Sequence, residues 1–497
     1  MRNLVVISAF ALCLSLSGCG SKEAKFSDRD RSQAITALAD SVLAKRGVPG
    51  IAIAVIRDGK LFQKLTVGSS NLATGEKVSG STPFQLASTT KIFGSTAVML
   101  LVADGKVHLE NPVGDYLDGL PSAWRSVTIR QLLSHTSGLP DITTATGEVD
   151  LVAADWESAL PIIAEEPFQF RPGHGWAYTQ TNYALLLRLI ERVSGKTFES
   201  FLEERLFQPL GMRNTFFPGP QRRCAVNYRR EQDGRITVRS NLTFPHYVHA
   251  AGGLCSSLDD LVAWSRALDS GKIMPSELAL QAWSPTRLAD GSNAQVSPVI
   301  SYGLGWAIGT TPGHRWAGHS GGNSTAFRRY LDERMTIIML HNGASDPDAI
   351  ISSVARFMVQ TTSADGAQVG LWDAAGDGNL AAAEAALQAG AKVNELDTRS
   401  SRNGRYALNW AAINNHPDII EVLLKHGAAI NAQNLTGFTA LHHAAESGSA
   451  AAAQALLDAG ADPSLRSASG ETPSDVARRH GNTAVAQIID KAVGKAR

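Results

Sequence analysis

Residues 84–91 read Phe-Gln-Leu-Ala-Ser-Thr-Thr-Lys and contain the only Ser-x-x-Lys sequence in this chain of 497 residues. At the start of a helix, positions i and i+3 share a face, so the Lys91 ammonium would lie beside the Ser88 hydroxyl. A helix N-terminus also favours a developing negative charge on that oxygen. The stretch therefore predicts an activated serine at the beginning of a helix.

Two further motifs follow this stretch. Tyr178-Thr179-Gln180 lies within residues 176–183, and His319-Ser320-Gly321-Gly322 precedes a predicted hairpin at 325–340. Residues 132–139 (LLSHTSGL) and 251–254 (AGGL) are additional landmarks. In this order, the motifs of residues 31–360 resemble those of the serine β-lactamase and penicillin-binding-protein superfamily. The similarity is greatest to its class C-like branch, which also contains family VIII esterases and D-amino acid-releasing peptidases.

The resemblance implies a role for each motif residue. Ser88 would be the acylated nucleophile, and Lys91 and Tyr178 would share its proton, with Tyr178 also protonating the leaving group. An amine or a phenol acts as a base near neutral pH only where its surroundings lower its pKa, and the sequence leaves open which of the two does so. The backbone N–H groups of Ser88 and Gly322 would form the oxyanion hole.

The later motifs depart from the usual β-lactamase pattern. His319 takes the place of a lysine, as it often does in the esterases, and Gln180 takes the place of an asparagine. The resemblance assigns Gln180, Ser320 and Gly321 to substrate binding and implies neither metal nor cofactor. A neutral histidine gives up a charge-assisted bond to a carboxylate. We therefore expect a serine hydrolase of esters or amides, of esterase or D-amino-acid peptidase type, rather than an efficient β-lactamase.

Two alternatives remain open at this level. Residues 318–322 (GHSGG) also satisfy the G-x-S-x-G pattern of α/β-hydrolases, in which the serine follows a buried strand and opens a helix. The segment 325–340 reads instead as a β-hairpin, although His341 follows as an available partner. The other alternative is a receptor, in which a catalytically weak hydrolase domain binds cell-wall peptides or a protein partner.

Residues 31–360 mix helical and strand patterns without regular βαβ spacing, which favours an antiparallel sheet flanked by helices. Residues 51–56 and 61–67 read as strands joined at Asp58-Gly59, a strong hairpin signal. Apolar residues at 95–103 and 183–193 predict core helices. The predicted fold class of this domain is α+β.

The composition becomes rich in alanine and periodic after residue 361. Residues 361–369 read as a linker. Further along, Gly404, Gly437 and Gly470 are spaced by 33 residues, a period that resembles the ankyrin repeat. We therefore expect residues 370–497 to form an all-α solenoid of about four repeats, the last one degenerate, that binds an unknown protein partner.

The N-terminal residues indicate export and lipidation. Residues 1–18 combine Arg2, an apolar stretch too short to span a bilayer comfortably, and small residues before Cys19, a pattern that resembles a bacterial lipoprotein signal. Cys19 would be acylated, and residues 19–30 would form a polar tether. We expect a lipid-anchored protein of the bacterial cell envelope, in the outer membrane and facing the periplasm. There Cys224 and Cys255 could pair, although the sequence does not show that they approach each other.

The overall composition excludes several classes of protein. Lys plus Arg and Asp plus Glu each total 46, so the chain lacks the basic excess expected of a nucleic-acid-binding protein. Hydrophobic residues make up 44% of the chain, which is enough for packed cores and too much for a disordered protein. The four cysteines do not follow a zinc-binding pattern.

Overall fold

The computed structural model describes residues 27–143, 151–231, 235–239, 244–297, 300–311, 314–322, 324–359, 363–397 and 404–496. The predicted signal segment 1–18, Cys19 and residues 20–26 of the tether lie outside these ranges. Within them, none of the helices is both long enough and apolar enough to cross a membrane.

A nine-stranded antiparallel sheet forms the centre of the first domain. Its strands, in their order across the sheet, are β3 (Glu76–Lys77), β2 (Lys60–Asn71), β1 (Gly50–Arg57), β13 (Met335–His341), β12 (Thr325–Tyr330), β11 (His314–Gly321), β10 (Ala307–Thr311), β9 (Ile300–Tyr302) and β8 (Gln295–Ser297). Two small sheets pair β4 (Pro83–Gln85) with β7 (Cys255–Ser257), and β5 (Tyr228–Arg230) with β6 (Ile236–Val238).

Both hairpins predicted from the sequence are confirmed. β1 and β2 are joined at Asp58 and Gly59, whose φ angles of +50° and +71° suit a tight turn between twisted strands. β12 and β13 pair with Phe327 opposite Ile338. The sheet also joins distant parts of the chain, because β1 pairs antiparallel with β13.

Helices cover both faces of the large sheet. The α-helices of this domain are α1 (Asp28–Arg46), α2 (Lys91–Ala103), α3 (Ile129–Leu133), α4 (Trp156–Ala164), α5 (Gln180–Ser194), α6 (Phe198–Leu202), α7 (Gln208–Leu210), α8 (Leu258–Asp269), α9 (Ser276–Ala282) and α10 (Pro347–Met358). Shorter turns are the 3₁₀ segments Ala87–Thr90, Val113–Asp115 and His246–Val248 and the π-helical segment Glu203–Phe207. The predicted core helices at 95–103 and 183–193 are confirmed as parts of α2 and α5.

The alternation of side chains along β1 divides the core in two. Ile51 and Ile53 pack in one cluster with apolar residues of α1 and α10. Ala52 and Ala54 belong to the larger cluster, which includes most of the apolar residues of α2 and α5. Because both faces are covered, β1 reads in the sequence as a continuous apolar run. The larger cluster lies on the side of the sheet that carries the candidate site.

Four pairs of helices form a separate, alanine-rich core in the C-terminal part of the chain. The pairs are α11 (Ser363–Asp377) with α12 (Leu380–Gln388), α13 (Ala407–Ile413) with α14 (Pro417–Lys425), α15 (Ala440–Ser447) with α16 (Ala450–Asp458), and α17 (Pro473–Arg479) with α18 (Thr483–Ala496). Residues 363–369, predicted as linker, already belong to α11. Their polar composition suggested a linker, but alanine and glutamine also support a helix, and α11 packs against α12 and α13.

Candidate active site

Ser88 lies in the 3₁₀ turn Ala87–Thr90, which leads directly into α2 at Lys91. Ala87 has a φ of +45°, a left-handed conformation that costs a residue with a side chain about 1–3 kcal/mol. Ser88 is half-buried, whereas Lys91 is fully buried. The turn therefore leaves the serine partly accessible and carries the lysine into the interior.

The amine of Lys91 is held by two acceptors. Its Nζ donates to Oε1 of Gln180 at 2.8 Å and to the backbone oxygen of Ala251 at 2.8 Å. Burial lowers the pKa of Lys91 to about 7, although the negative charge of Asp141 acts in the opposite direction. A neutral amine has two N–H groups, which these acceptors satisfy, and one lone pair, which remains to take a proton.

Tyr178 lies beside Lys91, just before α5. The Lys91 Nζ is 4.7 Å from the centre of the Tyr178 ring, within cation–π range. The centre of the His319 ring is 6.3 Å from the centre of the Tyr178 ring. The structure thus brings together side chains from all three motifs, which are far apart in the sequence.

His319 lies on β11, and both of its ring nitrogens have partners. Nδ1 donates to the backbone oxygen of Ser320 at 2.8 Å, because a carbonyl can only accept. In the neutral ring Nε2 is then unprotonated, and it accepts from the Tyr302 hydroxyl at 3.0 Å. These partners suit a neutral imidazole at the position where the resemblance described above implies a lysine in β-lactamases.

The side chain of Ser320 points to the other face of β11, because successive side chains of a strand alternate. Its hydroxyl donates to Asp348 of α10 at 2.5 Å, and Arg328 donates to the same carboxylate oxygen at 2.5 Å. The prediction that Ser320 binds substrate therefore fails for its side chain. The α/β-hydrolase alternative fails as well, because the chain continues after Ser320 into β12 where that fold requires a helix.

Gly321 and Gly322 lie against the chain that enters the Ser88 turn. A Cβ atom at Gly321 would overlap the backbone oxygen of Leu86, and one at Gly322 would contact Ala87 at 3.6 Å. The hydroxyl of Thr325 donates to the same Leu86 oxygen at 3.0 Å. The two N–H groups expected to form the oxyanion hole therefore belong to segments in close contact.

Two residues hold the second motif in place: His135, which lies in the landmark 132–139 but was given no role from the sequence, and Asp141, which sequence reasoning missed. Nδ1 of the buried His135 accepts the backbone N–H of Thr179 at 3.3 Å and a side-chain N–H of Asn182 at 3.0 Å. Asp141 Oδ1 accepts the backbone N–H of Gln180 at 2.8 Å. Burial, followed by the charge of Lys91, lowers the pKa of His135 well below its usual value. The sequence feature that could have indicated a role for these residues is the group of polar residues that follows the apolar residues 132–133.

The structure joins Cys224 and Cys255 in a disulfide, with their Cα atoms 6.1 Å apart. Cys255 is the first residue of β7 and lies opposite Gln85 of β4. Because β7 pairs with β4, which leads into the turn that carries Ser88, the cross-link attaches Cys224 to the strand pair just before the candidate nucleophile.

Residues 35–410 match the family model described as Beta-lactamase. The chain belongs to the beta-lactamase family. A second model, described as ankyrin repeats in three copies, matches residues 371–467. The predicted architecture, an α+β β-lactamase-like domain followed by an ankyrin-repeat solenoid, is confirmed by these matches and by the described elements.

Two relatives show the range of this similarity. Penicillin-binding protein 4* of Bacillus subtilis is 28% identical over 317 residues, covering 58% of this chain and 67% of that protein. A D-aminopeptidase of Brucella anthropi is 30% identical over 313 residues, covering 60% of this chain and 57% of that protein. The match therefore spans little more than half of the aminopeptidase.

Solved structures support the same fold. The D-amino acid amidase of Ochrobactrum anthropi SV3, complexed with L-phenylalanine amide, aligns with a TM-score of 0.58 at 24% identity, over 66% of this chain and 99% of the amidase. The octameric penicillin-binding protein homologue of Pyrococcus abyssi aligns with a TM-score of 0.57 at 24% identity, over 65% of this chain and 76% of that chain. Family, relatives and fold together identify this member of the beta-lactamase family as a serine hydrolase.

Proposed function

We propose that this protein hydrolyses esters or amides through an acyl-enzyme on Ser88, and that its ankyrin repeats bind a protein partner. The observation that carries the proposal is the buried Lys91, whose pKa of about 7 makes much of the amine neutral at physiological pH. Its two N–H groups are taken by Gln180 and Ala251, so a lone pair is left for a proton. Ser88 lies one turn earlier and is partly accessible to a substrate.

In the proposed acylation, the Ser88 oxygen attacks the carbonyl carbon of the substrate while its proton passes to Lys91 or Tyr178. The backbone N–H groups of Ser88 and Gly322 stabilise the oxygen of the tetrahedral intermediate, a contribution of about 3 kcal/mol. When this intermediate collapses, Tyr178 protonates the leaving group. Where Lys91 has taken the serine proton, it passes that proton on to Tyr178, so both side chains return to their starting state. Water then attacks the acyl-serine ester, releasing the acid and restoring the Ser88 hydroxyl.

His319 directs the proposal toward substrates that do not depend on a tightly held carboxylate. A neutral hydrogen bond is about half as strong as a charge-assisted one. The arginines next along the chain are engaged elsewhere, Arg328 by Asp348 and Arg329 by Asp269. The similarity to a D-aminopeptidase and to a D-amino acid amidase supports amides of D-amino acids as a class to test beside short-chain esters.

The nucleophile is tested by comparing Ser88→Ala with Ser320→Ala, using p-nitrophenyl acetate hydrolysis and labelling with a fluorescent serine-directed phosphonate. Ser88→Ala should lose labelling and lower turnover by about a thousandfold or more, because the acyl-enzyme cannot form. Ser320→Ala should keep both, because its hydroxyl bonds to Asp348 on the other face of β11. A label mapped to the peptide containing Ser320 would overturn the proposal.

The same labelling separates the enzyme from a receptor of this fold. A wild-type protein that binds cell-wall peptides but takes up no phosphonate would favour the receptor.

We further propose a location in the bacterial cell envelope, with Cys19 lipidated and the protein facing the periplasm from the outer membrane. The lipoprotein-like sequence of residues 1–19 supports this location, and mass spectrometry of the N-terminal peptide from membranes tests it.

A further inference from the structure

Glu199, His246 and His249 bring three side chains of metal-ligand type together outside the motifs described above. Glu199 lies on α6, while His246 begins a 3₁₀ turn and His249 follows it. Glu199 Oε1 is 3.0 Å from His246 Nδ1 and 2.5 Å from His249 Nδ1. One such atom from each residue lies within 4.8 Å of the other two.

The outer nitrogen of each histidine is fixed by an acceptor. His246 Nε2 lies 2.9 Å from a carboxylate oxygen of Glu191, and His249 Nε2 lies 2.9 Å from the backbone oxygen of Phe244. These oxygens can only accept, so both outer nitrogens carry protons. A histidine that ligates a metal is usually oriented in this way, with its other N–H donated to a carboxylate or a backbone carbonyl.

The Nδ1 atoms of both histidines face the Glu199 carboxylate, and this arrangement requires a positive charge between them and that carboxylate. A neutral ring with a protonated Nε2 has a lone pair on Nδ1, and a carboxylate oxygen offers only lone pairs. Three lone-pair donors that converge repel one another unless a cation lies among them. Either both Nδ1 atoms also carry protons, or one divalent metal ion takes the place of those two protons.

We propose that Glu199, His246 and His249 bind a divalent transition-metal ion, for which Zn²⁺ best matches two imidazoles and a carboxylate. Ligands of tetrahedral zinc lie about 3.3 Å apart, given bonds of about 2.0–2.1 Å. The 3.0 Å separation is near this value, whereas the 2.5 Å separation is that of a short hydrogen bond and would have to lengthen when the ion binds. His246 is 49% exposed, which gives an ion access and leaves room for a water ligand.

The bound ion would connect the two segments that hold Lys91. His249 lies two residues before Ala251, whose carbonyl accepts from Lys91. Glu191 lies in the last turn of α5, and Gln180, the other acceptor, is the first residue of the same helix. The ion therefore has a structural role, and its binding does not depend on the proposed hydrolysis.

The experiment uses the full chain without an affinity tag, stripped with EDTA and titrated with ZnCl₂ by isothermal calorimetry. We expect one zinc ion per protein molecule, retained through gel filtration and measured by elemental mass spectrometry. Zinc should also raise the melting temperature. Co²⁺ in its place should give the visible absorption of a tetrahedral site.

Glu199→Gln and His246→Ala each remove one ligand and should weaken zinc binding by tenfold or more. His426→Ala is the matched control, because that exposed histidine only caps α14 through the backbone oxygen of Val422. A wild-type protein that retains no zinc would overturn the proposal and leave two protonated histidines to hold the cluster. Zinc bound equally by wild type and by both ligand variants would also overturn it, since the ion would lie elsewhere.

Discussion

At the scale of single residues, the proton on Lys91 controls the proposed reactivity of Ser88. The pKa of Lys91 is lowered to about 7, chiefly by burial. Below that pH the ammonium has no lone pair, so kcat/KM for p-nitrophenyl butyrate should fall about tenfold for each pH unit and reach a plateau above pH 8. A pH–rate profile at constant ionic strength measures this midpoint, and a midpoint above pH 9 would contradict the assignment.

Asp141→Asn provides the matched variant for this profile. The charge of Asp141 raises the pKa of Lys91, so its removal should move the midpoint to lower pH. The amide oxygen of an asparagine can still accept the Gln180 N–H, which limits the structural change. An unchanged midpoint would show that Lys91 is not the group that titrates.

His319 should determine the substrate class. In His319→Lys the new ammonium can form a charge-assisted bond to the carboxylate of a cephalosporin, a bond about twice as strong as a neutral one. We expect the ratio of kcat/KM for cephalosporin to that for p-nitrophenyl butyrate to rise by about tenfold or more. Steady-state assays on both substrates measure the ratio. A wild-type enzyme that hydrolyses both equally well would contradict this argument.

The sequence predicted the ionisable members of the candidate site better than the groups that hold them. Lys91, Tyr178 and His319 carry chemistry that side-chain type and order can reveal. Ala251 contributes only a backbone carbonyl, and His135 acts through bonds to Thr179 and Asn182. Such contacts depend on the path of the folded chain. The orientation of the Ser320 side chain likewise depends on which face of β11 is directed toward the candidate site.

Among the secondary-structure elements, the end of β11 can lie close to the Ser88 turn because Gly321 has no side chain. A Cβ there would overlap the Leu86 oxygen next to the Ser88 turn. Gly321→Ala should therefore displace β11 or the turn, lower stability by about 1–3 kcal/mol and reduce ester hydrolysis strongly. Thermal unfolding and p-nitrophenyl acetate assays measure the two effects.

Gly219→Ala is the control for this substitution, because nothing lies within 4 Å of a Cβ at Gly219. It should leave both the melting temperature and the hydrolysis rate close to those of wild type. Equal behaviour of the two variants would show that the contact between Gly321 and Leu86 does not position the site.

Local pairing was predictable and long-range pairing was not. The hairpin at Asp58-Gly59 is encoded by residues that favour its turn. The pairing of β1 with β13 joins opposite ends of the domain, and no turn residue specifies it. Residues 363–369 show a related limit, since the stretch reads as a linker by composition and becomes helical where α11 packs on its neighbours.

At the scale of the whole molecule, the hydrolase domain and the repeats have separate cores. A described link between them is the ion pair of Arg356 on α10 with Asp373 on α11, at 3.0 Å. The Asp373 side chain is 45% exposed and that of Arg356 is 11% exposed, so solvent screens the carboxylate and we expect the pair to contribute about 1 kcal/mol. The two parts should therefore be separable.

A chain ending at residue 361 tests this separation. The described contacts of Lys91, His319 and Gly321 all come from residues before 360, so kcat/KM for p-nitrophenyl acetate should stay within about twofold of wild type. Loss of the partner of Arg356 should lower the melting temperature by about 2 °C. Asp373→Asn in the full chain removes the same ion pair and should lower the melting temperature in the same direction. Residues 363–497, starting at the first residue of α11, should fold independently, because each repeat packs mainly on its neighbours. A shortened chain that is folded and monodisperse but inactive would show instead that the repeats complete the substrate pocket.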